Sequence, residues 1–227
     1  MLKSIKTGAI LRAPKAVLFD LDGTLIDTAD DLGAALNFVL IKHGLAPVTA
    51  VQYRPVASHG AKGLLELGFA DRLRDFSFTT LRNELLDYYQ QHLTVHSHLF
   101  GGADAFLPLL KTHQIPWGIV TNKPYKLAAK MLRQMSGMED CQILIGGDSL
   151  HQRKPSPVPL WVAAHQIGVS AKDCWYIGDA ERDIEAANRA GMTSIIADYG
   201  FIADTDTPDL WHADCRVQHL LELVPNL

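Results

Sequence analysis

The sequence predicts an α/β protein, a doubly wound parallel sheet into which a helical cap is inserted. Three observations predict it. Short apolar runs alternate with stretches of helical apolar spacing over most of the chain. Residues 29–98 interrupt that alternation with helical patterning alone. Three of the apolar runs stop abruptly at polar residues, Asp20, Thr121 and Asp179. Alternating strands and helices favour a parallel sheet covered on both faces, because each right-handed crossover lays its helix across the sheet. Residues 1–28 and 99–227 are therefore read as a Rossmann-like core domain, and residues 29–98 as the cap domain.

Each element has a local reason. Ala16-Val17-Leu18-Phe19 is a buried strand ended by Asp20, with Gly23 and Thr24 as turn residues. From Ala29 the apolar residues Leu32, Leu36, Val39 and Leu40 recur at helical spacing. The acids ahead of them, Asp27, Asp30 and Asp31, suit the positive end of a helix dipole, and Gly44 ends the segment. Residues 45–98 hold no good strand; their longest helix is expected at 79–95, with Leu81, Leu85, Tyr88, Tyr89 and His92 turned inward. Gly101-Gly102 closes the cap. A helix at 103–113 and a strand at Trp117-Gly118-Ile119-Val120 follow, and Pro124 can occupy the first turn of the next helix. The remaining pattern gives strands at 143–145, 174–177 and 193–197, with helices at 158–167 and 183–190 between them.

The whole-chain properties narrow the function classes. The 227 residues suffice for one core domain with a smaller insert. A formal charge of −4 argues against a general nucleic-acid binder, which needs concentrated positive charge. Cys141, Cys174 and Cys215 are odd in number and show no C-x-x-C spacing, so reduced thiols in the cytoplasm are expected. The run Ala9-Ile10-Leu11 is too short for a signal peptide, and no stretch approaches the roughly 20 apolar residues of a membrane span. A monomer or a homodimer is expected.

The strand ends carry the chemistry. Asp20-Leu21-Asp22 places two carboxylates on one side of an extended chain, where one can attack phosphorus and the other can donate and accept a proton. Gly23 permits backbone angles that turn N–H groups, including that of Thr24, toward a phosphate. Asp179 with Asp20 offers the one or two carboxylates that Mg2+ prefers. Lys154, on a proline-flanked loop, can neutralise phosphoryl oxygens, and Thr121 and Asn122 offer polar groups at a strand end. Taken singly, each piece also has an ordinary reading. Asp20-Leu21-Asp22 could be an acidic turn, the acids from Asp179 to Glu185 a favourable helix start, and Lys154 a solvated loop residue.

Taken in order, four stretches resemble the haloacid dehalogenase-like phosphatase superfamily: Val17-Leu18-Phe19-Asp20-Leu21-Asp22-Gly23-Thr24-Leu25, Ile119-Val120-Thr121-Asn122-Lys123, Arg153-Lys154-Pro155-Ser156-Pro157 and Ile177-Gly178-Asp179-x-x-x-Asp183. The resemblance implies Asp20 as nucleophile, Asp22 as general acid and base, and Thr121 and Lys154 as catalytic partners of the phosphoryl group, with Asn122 beside them. It implies Mg2+ held by Asp20, the Asp22 carbonyl and Asp179, with Asp183 holding the metal's waters. Dehalogenases of the superfamily lack the second carboxylate, so Asp22 implies a phosphatase; phosphomutases keep both and are not separated by motif. Within the superfamily the chain is most similar to the phosphoglycolate phosphatase group. Val95-His96-Ser97-x-Leu99-Phe100-x-Gly102, Trp117-Gly118-Ile119-Val120-Thr121-Asn122-Lys123-Pro124 and Tyr199-Gly200-Phe201-Ile202 resemble members acting on N-acetylmuramic acid 6-phosphate. The implied partner is a small phosphorylated metabolite, that sugar ahead of phosphoglycolate.

In the cap, Ser58-His59-Gly60-Ala61-Lys62-Gly63 is the polar, glycine-rich piece, and it precedes a helix whose N–H groups could meet an anion. Arg54, His59, Gly60 and Lys62 are expected to face the substrate. His92, His96 and His98 lack the nearby cysteines or acids that would complete a zinc site. Tyr88, Tyr89, Trp117 and Trp175 read as core, whereas Tyr199, Phe201 and Trp211 could either pack or form a dimer contact.

Overall fold

A computed structural model describes residues 1–227 and contains a six-stranded, wholly parallel sheet. In chain order its strands are β1 (Ala16–Phe19), β4 (Trp117–Val120), β5 (Cys141–Ile145), β6 (Cys174–Gly178), β7 (Thr193–Ala197) and β8 (Cys215–Val217). The numbers β2 and β3 belong to a separate two-stranded ribbon, Ile26–Asp27 and His98–Leu99. The spatial order of the sheet is β5-β4-β1-β6-β7-β8. The chain builds outward from β1 through β4 to β5, then crosses back to β6 and builds the other way. That reversal opens a crevice beyond the C-terminal ends of β4, β1 and β6, where open α/β sheets bind ligands.

Strand side chains alternate between faces, and the core divides accordingly. Val17 and Phe19 join the large cluster shared with the cap, while Ala16 and Leu18 join a second cluster on the opposite face. Helices α5 (Ala103–Thr112) and α6 (Tyr125–Gln134) pack into the first cluster, and α7 (Val158–Ile167) and α8 (Glu181–Ala190) into the second. Phe19 meets Trp117 and Phe106 edge-on, with ring centres 6.0 and 6.4 Å apart. The register Phe19↔Ile119 and Phe19↔Ile177 ends the three strands within one residue of one another, so Asp20, Thr121 and Asp179 emerge at the same edge of the sheet.

The cap residues form α1 (Ala29–Lys42), α2 (Ala50–Tyr53), α3 (Gly60–Phe69) and α4 (Phe78–Gln91). Leu32, Leu36, Val39 and Leu40 form the buried stripe of α1, on which α3 and α4 lie. A Cβ on Gly68 would run into the side chains of Leu36 and Leu40, so glycine there lets α3 approach α1 closely. Ser77 caps α4 by accepting from the Thr80 N–H at 3.4 Å.

Three features depart from the sequence expectations. The chain crosses between sheet and cap helices through the antiparallel ribbon β2–β3, neither strand of which was expected. The Asp31 carboxylate fixes the returning strand by accepting from the N–H groups of His96 and Ser97, both at 2.9 Å, and from the Ser97 hydroxyl at 2.6 Å. Helix α4 stops at Gln91, so His92 and His96 do not share a helix; their neighbourhood is a turn held by bonds such as His92 Nδ1 to the Tyr88 carbonyl, 2.9 Å. The sheet also gains β8, and the aromatic segment before it packs inward. Phe201 and Trp211 are buried, and the Tyr199 hydroxyl donates to the Thr24 carbonyl at 2.9 Å. Trp117, Trp175 and Tyr89 are buried as expected, while Tyr88 stacks near the surface between Phe38 and His92. The three cysteines are unpaired, and no helix is long and apolar enough to cross a membrane.

Candidate active site

The crevice beyond β4, β1 and β6 collects four of the predicted site residues first. Asp20 is only 2% exposed. Its Oδ1 accepts from the Leu21 N–H at 2.7 Å and lies 3.0 Å from the Lys154 ammonium, and its Oδ2 lies 4.0 Å from the Arg182 guanidinium. Burial by itself would raise its pKa, but the charges of Lys154 and Arg182 and the Leu21 N–H outweigh burial and hold the carboxyl below its usual range. Asp20 is thus a buried carboxylate held in its ionised form by two cations and an N–H group.

Lys154 comes from the β5–α7 connection and its side chain is wholly buried. A buried ammonium needs partners on every side. It donates to the Tyr176 hydroxyl at 2.7 Å, which donates in turn to the Val120 carbonyl at 2.7 Å, and it pairs with Asp183 Oδ1 at 2.6 Å. Its backbone carbonyl accepts from the Asn122 side-chain amide at 2.9 Å, which ties the β4 end to this loop. The Asn122 Oδ1 is buried without a partner, and Thr121 is buried beside it with its hydroxyl accepting from the Lys123 N–H at 3.2 Å.

Asp20, Asp179 and Asp183 place carboxylate oxygens within 4.8 Å of one another, all three buried. Burial, then the charges of Asp183 and Asp20, push the Asp179 carboxyl up to about 7. Burial likewise raises Asp183, whose Oδ2 accepts from the Ala180 N–H at 3.0 Å at the start of α8. Hard oxygen donors with surplus negative charge fit a divalent cation, whose charge would relieve this repulsion. The backbone is shaped around the same carboxylate: a Cβ at Gly23, which has φ +84°, would fall onto Asp179, as would one at Gly200. Gly23→Ala is therefore expected to shift Asp179 and raise the divalent cation concentration for half-maximal activity by about 10–100-fold, the usual cost of disturbing a ligand's support. A cation titration of activity checks this; an unchanged midpoint would separate Gly23 from the cation site.

Asp22 lies on the turn after Asp20. Its Oδ1 accepts from the Thr28 hydroxyl at 2.6 Å and from the Lys123 ammonium at 2.7 Å, and its Oδ2 carries no protein hydrogen bond. Thr24 contributes its hydroxyl to Asp179 Oδ1 at 3.3 Å.

The cap reaches the crevice through the turn before α3. The Ser58 hydroxyl donates to Asp179 Oδ2 at 2.6 Å, and its carbonyl accepts from Arg182 at 2.8 Å. His59 lines a cleft of roughly 200 Å³ with Ser58, Arg182, Phe201 and Trp211, and Gly60 turns the chain into α3 at φ +63°. The other two expected cap residues lie elsewhere. Arg54 is paired with Asp27 and Asp30 at the ribbon and sits 5.9 Å over the Phe201 ring. Lys62 is 75% exposed and meets Glu66 at 3.7 Å. Ser58 and Lys123 lie in stretches that the sequence singles out, the glycine-rich cap loop and the Ile119-to-Lys123 strand end, whereas Arg182 was not anticipated. Arg182 had left one signal: a cation in the first turn of a helix, where the dipole disfavours it.

The sequence pattern of haloacid dehalogenase-like hydrolases matches residues 17–197. A phosphoglycolate phosphatase of Xanthomonas campestris pv. campestris is 46% identical over 208 residues, covering 92% of this chain and 94% of that protein. An N-acetylmuramic acid 6-phosphate phosphatase of Pseudomonas aeruginosa is 38% identical over 210 residues, covering 92% and 93%. Among solved structures, one from Haemophilus somnus described as a predicted phosphoglycolate phosphatase shares the fold, with a TM-score of 0.84 at 24% identity over 93% of this chain and 96% of that one.

Proposed function

The chain belongs to the haloacid dehalogenase-like hydrolase family, and from that premise we propose that it hydrolyses the phosphate monoester of a small carboxylated metabolite through an aspartyl phosphate on Asp20. One observation carries the proposal: a buried carboxylate paired with Lys154 at 3.0 Å, grouped with the carboxylates of Asp179 and Asp183 and two residues from that of Asp22.

Asp20 attacks phosphorus, and the Asp20 oxygen–phosphorus bond forms as the ester bond breaks. Asp22 gives its proton to the departing alcohol oxygen, then takes one from the water that cleaves the aspartyl phosphate. Thr121, the turn N–H groups from Asp22 to Thr24, and Lys154 bind the phosphoryl oxygens where charge develops. Asp20, the Asp22 carbonyl, Asp179 and, through water, Asp183 are the proposed ligands of Mg2+, which when bound supplies the charge that lets an anionic nucleophile approach an anionic ester. A cap seated over the crevice keeps bulk water out of the first step. Three unpaired thiols fit a cytoplasmic location.

For the leaving group, the cleft beside Asp179 is lined by His59 and Arg182, by the acids Glu181 and Asp206, and by two aromatic residues, Phe201 and Trp211. Aromatic faces suit a sugar ring. That lining favours N-acetylmuramic acid 6-phosphate, and with it a place in the reuse of cell-wall sugars. The 46% identity to a protein named phosphoglycolate phosphatase favours the smaller acid as a second reading. The comparison that decides is kcat/KM for both compounds on the purified enzyme. The muramic ester is expected to win by at least ~10-fold, about 1.4 kcal/mol of transition-state binding. A win of that size for phosphoglycolate would overturn the sugar assignment. An isomeric phosphate formed without free phosphate would overturn hydrolysis itself.

A further inference from the structure

Lys123 is a buried cation that the mechanism above does not use. It follows Thr121 and Asn122 at the end of β4, with its side chain 5% exposed. Its ammonium has two partners from distant parts of the chain. One is Asp22 Oδ1, at 2.7 Å. The other is the hydroxyl of Tyr89, at 2.8 Å, with the ammonium also 4.5 Å above that ring. Tyr89 is buried on α4, in the cap segment, whereas Lys123 and Asp22 are on the sheet side of the ribbon.

The bonds to Asp22 are one-sided. Thr28, next to β2 where the chain leaves for the cap, and Lys123 both hold Oδ1, so rotation of the carboxyl is blocked and Oδ2 is left for the substrate. Thr28 precedes α1 directly and lies only six residues from Asp22 along the chain. The Tyr89–Lys123 bond is different, because it exists only while α4 is seated against the β4 end. With Tyr89 withdrawn, the ammonium loses a hydroxyl and a ring face together, and only the carboxylate remains to hold it.

We propose that Lys123 is a positioning residue that couples seating of the cap to alignment of the Asp22 carboxyl, with Tyr89 as its anchor in the cap. The proposal rests on the reading of Asp22 as the group that protonates the leaving oxygen. When the cap is seated, Lys123 is held from both sides and Asp22 presents Oδ2 to the ester. When it is not, Asp22 is free to turn away, and an ester bound under an open cap is not cleaved.

The test uses leaving groups. An alkyl phosphate needs a proton delivered as its P–O bond breaks, whereas an aryl phosphate with a stable phenolate does not. The ratio kcat/KM reports steps only through that cleavage, so the later use of Asp22 as a base does not enter. In the full-length enzyme, Lys123→Met should lower kcat/KM for alkyl phosphates by about 100-fold and for an aryl phosphate by less than about 5-fold, since general acid catalysis is worth 10²–10⁴. Tyr89→Phe, which removes one hydroxyl and keeps the ring, should show the same selectivity at about 5–20-fold, and should cost nothing more in the Lys123→Met background because the two act through one contact. Equal loss on every ester, or full additivity of the two changes, would overturn the proposal; Tyr89→Phe decides alone if Lys123→Met does not fold. Asp22→Asn separates the premises. If it slows alkyl and aryl esters equally, the reading of Asp22 as acid fails and takes the proposal with it. If it is selective and the Lys123 and Tyr89 variants are not, only the coupling fails.

Discussion

Asp20→Asn should reduce phosphate release to less than about 10⁻³ of the wild-type rate while the protein stays folded, because the nucleophile is lost outright. The amide has nearly the shape of the carboxylate and can still accept from the Leu21 N–H through its oxygen. It cannot attack phosphorus, and it withdraws a charge that Lys154 and Arg182 now face. Those cations keep other partners, Asp183 at 2.6 Å for Lys154 and the Ser58 carbonyl at 2.8 Å for Arg182, so local structure should hold. The variant also removes one of three mutually repelling carboxylates, which offsets part of what the lost ion pair contributed. Two measurements check this. Rapid acid quench of wild-type enzyme with substrate should leave phosphate covalently on the peptide containing Asp20, and the variant should show none. Activity above about 1% of wild type, in a preparation free of contaminating phosphatase, would rule out covalent catalysis at this residue.

Asp20, Thr121 and Asp179 were legible in the sequence because a buried strand announces its own C-terminal end: apolar residues stop and a polar one begins. What brings the three to one edge of the sheet is the register of parallel pairing, which the alternation of strands and helices implies without naming partners. The ribbon β2–β3 was not legible. Two residues per strand, Ile26-Asp27 and His98-Leu99, are too few to show a period. Strand β8 has three residues and follows a stretch rich in turn residues, so it too lacked a signal. The contacts of Ser58 and Lys123 were not legible for another reason: they join residues 121 and 101 positions apart, and no local pattern encodes such a pair. Lys62 is the opposite case. A lysine in a polar, glycine-rich loop looked like an anion ligand, but α3 has already begun there and its ammonium lies in solvent beside Glu66.

Removing divalent cations should abolish turnover and destabilise the fold relative to the cation-bound enzyme, by an amount that grows with pH. In the cation-free protein, burial and the neighbouring carboxylates push Asp179 from an ordinary 3.8 up to about 7. An acid raised in the folded state binds a proton more tightly there than in the unfolded chain. Between those two values the folded state therefore holds more protons, and stability falls as pH rises from about 4 to about 7. Asp183, also raised, adds to the same trend, while Asp20 is held ionised throughout by Lys154 and Arg182. Cation binding runs the other way, because its ligands must be deprotonated. At pH 8 the carboxylates are already ionised and the cation removes their repulsion; at pH 5.5 it must first displace a proton. Adding Mg2+ at about 100 times its Kd should therefore contribute about 2.7 kcal/mol. That is about 5–10 °C in Tm for a chain of this size. The gain should be large at pH 8 and at most half as large at pH 5.5. Asp179→Ala should flatten this difference more than Asp183→Ala, since the first is proposed to touch the ion and the second only its water. Ca2+ should stabilise yet fail to support turnover, because its larger and looser coordination shell spreads the oxygens that must be held for in-line attack. The readouts are thermal melts at the two pH values and phosphate release after exhaustive chelation. Full activity in chelator would end the metal-dependent reading, and an equal Tm gain at both pH values would show that the ion binds somewhere other than the buried carboxylate trio.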